Sequence, residues 1–481
     1  MIKKTSILIL TALLILSCGK DSSRQIVYNA EKLFNKAERE YQKATIKPEL
    51  ITPARLEPVM KNYREVLRYC WNHLDSLTYE KNPDDRNNLE SIAYVSAEKL
   101  SRVYTSQGMY DSSITVLSQL LAMTNLTGRP LMNARSDLAG ALQMSGKWLE
   151  ALGIYRSLID TFYPPVDNNG DIIYKIVNLP LRLIKTSELL NFPEETRREI
   201  VSAEKYYQRL IEEWPNSELS NASRSNLAAL YGDLERWDDA IETLGGITDS
   251  VGQVDLWASV RMAEMYSDGK GNPGRAAEIY RNLIERETDS TKMAGLYVRL
   301  GQTYYDMKNF RRCRETMSYI KDNFRNYYMQ DPSPQKYIAM SFEKEGNWDR
   351  AENEYLWLIT NFPRTEEAFT SYLEIAEHFE RENNSRLRDS WLNRAEEFYN
   401  EMAARHAGTP VEASAISFKA EVAKRRGDWI KAAQLLELLY KKFPGSDTGR
   451  RALMKAAAVH REKLDNVPRA DSLLNLLRPD I

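Results

Sequence analysis

One pattern returns along most of this chain at a nearly constant spacing. An aromatic residue is followed three positions later by a small residue, and four positions after that by a bulky apolar one. It reads Tyr110–Ser113–Leu117, Trp148–Ala151–Tyr155, Trp237–Ala240–Leu244, Phe310–Cys313–Met317, Trp348–Ala351–Tyr355 and Trp429–Ala432–Leu436. Copies without the aromatic centre on Ala203, Ala276, Ala395 and Ala470. Most successive small residues lie 36 to 38 positions apart; two intervals are wider, 52 from Ala151 to Ala203 and 44 from Ala351 to Ala395. A fixed period of this size means an array of like units stacked side by side, because one central core imposes no such repeat.

Residues 335–363 show what a single unit is. Ile338, Ala339 and Phe342 share one face of a first helix. Gly346 and Asn347 follow it, where a helix needs a left-handed terminal residue. Trp348 then opens a second helix carrying Ala351, Tyr355 and Leu358 on one stripe. Pro363 stops that helix, and Thr365 is predicted to cap the next. The small residue lets two helices approach closely, and the bulky one a turn later fills the space beside it. Each helix pair leaves an apolar face bare, so neighbours must stack to cover it. The same grammar returns around Leu138, Ala139 and Leu142, around Leu227, Ala228 and Tyr231, and around Leu300, Gly301 and Tyr304.

These units resemble the tetratricopeptide repeat over most of residues 28–481, in roughly ten copies. The resemblance implies an all-α fold, a right-handed superhelix of antiparallel helix pairs. Three junctions share a further spelling: Trp214-Pro215-Asn216-Ser217, Phe362-Pro363-Arg364-Thr365 and Phe443-Pro444-Gly445-Ser446. Proline ends one helix there and the hydroxyl caps the following one. In this respect the repeats are similar to those of bacterial envelope proteins, among them the lipoprotein of the outer-membrane β-barrel assembly machine and the periplasmic repeat protein of the Tol–Pal system. Two turn-rich stretches are expected to account for the wide intervals: Pro164 to about Ile176, read as a hinge, and Asn383-Asn384-Ser385.

The first residues set the expected address. Lys3 and Lys4 precede an apolar run from Ile7 to Leu16, about half the roughly 20 residues a membrane span takes. Ile15-Leu16-Ser17-Cys18 then resembles the lipobox of bacterial lipoproteins. That resemblance implies cleavage before Cys18 and acylation of its thiol and amine, palmitate-type chains giving stable anchoring. Gly19 in place of an aspartate implies the outer membrane under the sorting rule of many Gram-negative lipoproteins, with the periplasmic face as the expected side. A tether from Gly19 to about Val27 reaches at most roughly 30 Å. The domain reading is therefore a signal peptide over 1–17, a lipidated tether over 18–27, an N-terminal array over 28–165 and a C-terminal array over 166–481.

The formal charge is −2, or −4 once residues 1–17 are removed, which speaks against general nucleic-acid binding. Three cysteines make no disulfide framework; Cys70 and Cys313 read as small core residues. The four histidines, His73, His378, His406 and His460, show no metal-ligand spacing. His378 and His460 fall in or beside the aromatic slot of a first helix, where packing is the expected role. The chain has no phosphate-binding glycine loop and no G-x-S-x-G elbow. The basic runs at Arg311, Arg312, Arg314 and at Lys424, Arg425, Arg426 read as solvated faces or helix ends.

No catalytic residue, metal site or cofactor other than the lipid on Cys18 is expected. In tetratricopeptide arrays partners commonly lie along the first helices, and this implies Trp257, Gln302, Tyr305, Met340 and Glu343 as candidates for partner binding. The last helix carries Ala470, Leu473, Leu474, Leu476 and Leu477 over more than one face, so Leu473 and Leu476 are expected to dock on a partner or a second copy. The functional expectation is a non-enzymatic, lipid-anchored scaffold for protein–protein interaction in the cell envelope, in outer-membrane protein assembly, secretion or cell-wall processes. The alternative is a solute- or glycan-binding outer-membrane lipoprotein.

Overall fold

The computed structural model describes residues 23–45, 53–167, 169–444 and 446–476. Cys18, the lipobox, the signal segment and Leu477 lie outside them. The described residues fall into two compact units, one up to Tyr206 and one from Tyr207 onward.

Both units are built from helix pairs. In the first unit they are α1 (Ser23–Thr45) with α2 (Pro53–Leu74), α3 (Pro83–Ser106) with α4 (Tyr110–Met123), α5 (Gly128–Met144) with α6 (Trp148–Thr161), and α7 (Leu179–Leu189) with α8 (Pro193–Glu213), whose last residues belong to the second unit. The second unit continues with α9 (Glu218–Asp233) and α10 (Trp237–Gly245), α11 (Leu256–Glu264) and α12 (Pro273–Arg286), α13 (Ser290–Asp306) and α14 (Phe310–Asn323), and α15 (Ser333–Lys344) and α16 (Trp348–Asn361). It closes with α17 (Glu366–Arg381) and α18 (Ser385–Arg405), α19 (Pro410–Arg425) and α20 (Trp429–Lys442), and α21 (Asp447–Glu462) and α22 (Val467–Asn475). Odd-numbered helices are the first of each pair and even-numbered the second. Apart from α8, each helix packs on the next, and several first helices also touch the following first helix, as α13 touches α15 and α17 touches α19.

The small residue falls on the second helix in every copy of the motif, and there it is sealed. Ser113, Ala151, Ala240, Ala276, Cys313, Ala351, Ala395, Ala432 and Ala470 have no exposed surface, and Ala203 has 1 %. The bulky partners Leu117, Tyr155, Met317 and Tyr355 are equally buried, which is the close approach the spacing predicts. Burial pushes the Cys313 and Cys70 thiols up to about 12, so both behave as packing groups.

The turn inside each pair is also fixed. Two residues before the second helix sits a residue with positive φ: Gly108, Gly146, Gly271, Gly346 and Gly427, but also Asn191, Glu235, Lys308, Asn383 and Asp465. Between that residue and the helix the chain bonds back to a carbonyl five residues earlier, as in Asn347 N–H to Phe342 O at 2.9 Å and Asn309 N–H to Tyr304 O at 2.8 Å. Lys308, at φ 57°, holds a β-carbon in a region that costs such a residue ~1–2 kcal/mol. Lys308→Gly is expected to raise the unfolding free energy by about 0.5–1 kcal/mol, since the greater entropy of unfolded glycine returns part of the gain. A urea midpoint that fails to rise would contradict this.

The aromatic that opens the second helix packs against the next first helix. The His378 ring of α17 lies on Trp348 at 3.4 Å with an interplanar angle of 1°. Lys463, at the end of α21, stands 5.1 Å from the Trp429 ring. At Trp237 the neighbour is Gly269, where any β-carbon would collide with the indole. At the proline junctions, the Ser217, Thr365 and Ser446 hydroxyls accept from Ser220, Ala368 and Gly449 N–H at 3.1, 3.4 and 3.0 Å, as expected of caps.

The expected insertion accounts for about half of the excess in the 52-residue interval; the other half, and the whole excess of the 44-residue interval, lie in longer helices. The helices α8 and α18 are 21 residues long, against 14 for α6 or α16. The extra residues precede Ala203 and Ala395. Seven residues are about two helical turns, so the small residue returns to the same face. The Asn383-Asn384 turn itself has the ordinary geometry. In the 164–176 stretch the chain makes a closed hairpin, with Val166 bridged to Ile172 and Asp167 accepting from Asn169 and Asp171 N–H, both at 2.9 Å. A second hairpin, unforeseen, links α10 to α11: Thr248 bridges Val254 and Asp249 accepts from Val251 and Gln253 N–H. The shared V/T-D-x-x-G spelling was its signal. At the start, α1 begins at Ser23, inside the stretch expected as tether, because Ile26, Val27 and Ala30 already face the core.

Candidate functional site

The first helices of the second unit present a line of half-buried side chains, and four of the five candidates for partner binding stand on it. Tyr305 of α13 meets Tyr337 of α15 edge to face at 5.5 Å, and Gln302 stands near the Tyr337 hydroxyl. Met340 is half-buried one turn further along α15. Glu343 follows, its side chain only 9 % exposed, accepting from the Tyr355 hydroxyl at 2.8 Å and paired with Arg381 of α17. Its charge helps push the Tyr305 phenol up to about 12, though burial is the larger cause. Trp257 stands in the first turn of α11, 49 % exposed, behind an Asp255 carboxylate that accepts its N–H.

Glu374 and Glu377 of α17, which the sequence did not single out, complete this face. Glu374 of α17 lies two positions before Ala376, the place Tyr337 holds before Ala339. Burial, then the charges of Glu343 and Glu377, raise its carboxyl above the usual range against the pull of Lys336 and Arg425. The signal was the register itself: a carboxylate in a slot that is aromatic in the preceding repeat. Because the folded pKa exceeds the unfolded one, the folded state is penalised at neutral pH, and the penalty fades as pH falls through the folded pKa. Glu374→Gln is therefore expected to raise the melting temperature at pH 7, with the gain vanishing toward pH 4. An equal gain at both values would show that charge is not the cause.

Ion pairs tie successive first helices together across this face: Glu264 with Arg299, Glu343 with Arg381, and Glu377 with Arg425, the last at 2.9 Å. A cleft of about 680 Å³ opens beside Glu343, bounded by Trp348, His378, Arg381 and Asn384. Burial, then Arg381, lowers the His378 pKa, so its ring is neutral at pH 7. His460 bonds Glu437 at 2.8 Å. Neither basic run forms a patch. Arg311 goes to Glu315 and Arg314 to Glu345, while Lys424, Arg425 and Arg426 go to Glu421, Glu377 and Glu396. Among the described residues no cluster of three or more His, Cys, Asp or Glu could hold a metal ion, and no helix is long and apolar enough to cross a membrane.

At the far end the two leucines part company. Leu473 is 2 % exposed and packs in the core of the last two pairs, so it offers no surface; Leu476 is 57 % exposed. Leu473→Glu is expected to cost more than about 2 kcal/mol by burying a charge, and Leu476→Glu less than about 0.5 kcal/mol. Thermal unfolding of both variants checks the contrast.

The helix pairs, their sealed small residues and their stacking define the class: an all-α tetratricopeptide-repeat solenoid. Neither a described protein family nor a curated protein matches this chain. Among solved structures it is similar to yeast Tom70, at 14 % identity over 93 % of this chain and 91 % of that one, with a TM-score of 0.37. It is also similar to a tetratricopeptide repeat protein from Parabacteroides merdae, at 16 % identity over 62 % and 98 %, with a TM-score of 0.33. A third is the C-terminal part of a TPR repeat-containing protein from Cytophaga hutchinsonii, at 14 % identity over 58 % and 99 %, again with a TM-score of 0.33.

Proposed function

We propose that this chain is a non-enzymatic scaffold, held at the outer membrane by a lipid on Cys18, that binds other envelope proteins along its first helices. The observation that carries the reading is the face from Gln302 to Glu377. Aromatic and charged side chains of successive repeats stand there half-buried in register, held by ion pairs between repeats. Such a surface is rigid, extended and chemically varied, which suits a protein partner better than a small solute. The anchoring rests on the sequence of residues 1–19, and the periplasmic side is part of the same proposal. Self-association through the last helix would have to use Leu476 and its exposed neighbours, since Leu473 is internal.

Two experiments test the parts separately. Labelled palmitate should enter the wild-type chain and not Cys18→Ser, which should also leave the membrane fraction. Cross-linking in intact cells, followed by affinity recovery from detergent-solubilised envelopes, should bring down β-barrel assembly, secretion or cell-wall components. Recovery of the chain alone, or with itself only, would refute the scaffold.

A further inference from the structure

The helix that follows the lipid site has a face no other element covers. Residues 19–22 alone separate Cys18 from Ser23, where α1 begins, so the tether spans at most about 18 Å at about 3.5 Å per residue. α1 packs on α2 and α3 and buries Ile26, Ala30 and Ala37. Its opposite face carries Arg24, Tyr28, Lys32, Asn35 and Arg39, all exposed, at helical spacings of four, four, three and four. From Arg24 to Arg39 this stripe runs about 22 Å along the axis. Tyr28, 59 % exposed, stands on it between two cations.

α2 extends the face sideways. Lys36 of α1 pairs with Glu65 of α2 at 3.4 Å, and Lys61, Arg64 and Arg68 stand exposed on the same side of α2 as Glu65. Carboxylates are fewer and mostly engaged. Glu38 is paired with Lys99, Glu40 with Lys43 and Glu65 with Lys36, which leaves Glu31 and Glu57 as the exposed acids of the two helices without such a partner. Residues 23–74 hold ten Lys and Arg against six Asp and Glu, a charge of +4, whereas residues 75–481 sum to −8.

We infer that this face lies on an anionic phospholipid surface, with α1 along the plane of the bilayer. Basic runs occur elsewhere, as at Arg311 and Arg312; this one is set apart by its distance from the acyl chains. The short tether brings the stripe within a Debye length of the headgroups, about 8–10 Å. There each cation strengthens binding to anionic lipid about fivefold. Tyr28 can seat its ring among the headgroups and keep its hydroxyl in water. The acyl chains already hold the protein at the membrane, so the work of this face is orientation. A chain fixed at one point swings about it, while a helix also held along its length does not. A soluble polyanion would match the same cations, but the tether keeps the face beside lipid.

This rests on the Cys18 anchor and is tested without it. Residues 19–481 keep every described residue and carry no acyl chain. They should bind vesicles of phosphatidylcholine with roughly one-third phosphatidylglycerol at least tenfold more tightly than phosphatidylcholine alone, and less tightly as salt rises. Lys32→Glu with Arg39→Glu should lower that binding at least tenfold. Lys32→Arg with Arg39→Lys should leave it within about twofold. Arg311→Glu with Arg312→Glu, the same change of charge on α14, should leave it unchanged. All four residues are exposed, so circular dichroism should show every variant folded. Tyr28→Cys can be labelled alone with a polarity-sensitive dye, because Cys70 and Cys313 are sealed, and its emission should shift to the blue on the anionic vesicles.

Equal losses from the two charge-reversed pairs would reduce the effect to net charge and overturn the assignment. So would binding with no dye shift, or equally tight binding of soluble polyphosphate through Lys32 and Arg39. Any of these alongside palmitate on Cys18 would leave the anchor standing without an orienting face. The expected vesicle results without palmitate would support the face and remove the anchor.

Discussion

Arg86→Ala should cost the first unit about 3–5 kcal/mol, as much as any single charge removal can. Arg86 and Glu90 are 12 % and 6 % exposed, with Nε to Oε1 at 2.8 Å. The guanidinium also donates to Leu74 O and, at 3.2 Å, to Leu77 O after α2, and at 3.3 Å to Met123 O at the end of α4. Glu90 in turn accepts from the Tyr79 hydroxyl at 2.6 Å and Asn125 N–H at 3.4 Å. One side chain thus closes the ends of two consecutive repeats. Removing it strands a buried carboxylate and three carbonyls, while Arg86→Met with Glu90→Leu removes both charges and should cost far less. Chemical denaturation of the three proteins decides it. If the single variant lies within about 1 kcal/mol of wild type, the network is not load-sharing in this way. Because each repeat holds only its neighbours, hydrogen exchange should speed up in α2 to α4 and leave α20 to α22 unchanged.

Tyr355→Ala should cost about 3–5 kcal/mol in the second unit. The ring has no exposed surface and fills the space beside Ala351, and its hydroxyl donates to Glu343 at 2.8 Å. Tyr355→Phe keeps the ring and loses only that bond, for about 1.5–3 kcal/mol, the range for hydrogen bonds to a charged group. Burial, then the Glu343 and Glu374 charges, drives the Tyr355 pKa far above the ordinary tyrosine value. The folded state therefore keeps the phenol proton when the unfolded chain has lost it. Stability from this group is complete below about pH 10 and declines above it. A pH titration of stability should show wild type losing this increment in alkali and Tyr355→Phe losing less. Identical alkaline slopes would exclude Tyr355 as the source.

How much of this was legible follows from what each residue answers to. The repeat period, the helix pairs, the sealed slot of Ala351 and Cys313 and the caps at Ser217, Thr365 and Ser446 were readable, because each depends on neighbours within one repeat. The length of α8 and α18 was not. Two added turns leave a helix face unchanged, so an interval alone cannot separate a longer helix from a longer loop. Leu473 and Leu476 look alike in the sequence, yet one is core and the other surface, since only the packing of α22 on α21 tells the two faces apart. That Gln302, Tyr305, Met340 and Glu343 stand half-buried on first helices follows from register. The desolvation of Glu374 could not be read that way.

The sequence by itself determined the architecture, because stacking repeats needs only local rules applied many times. The tertiary structure decided where charge is satisfied and where it is left open, because pairs such as Glu343 with Arg381 or Glu377 with Arg425 join residues of different repeats. Their distances exist only once the helices are stacked.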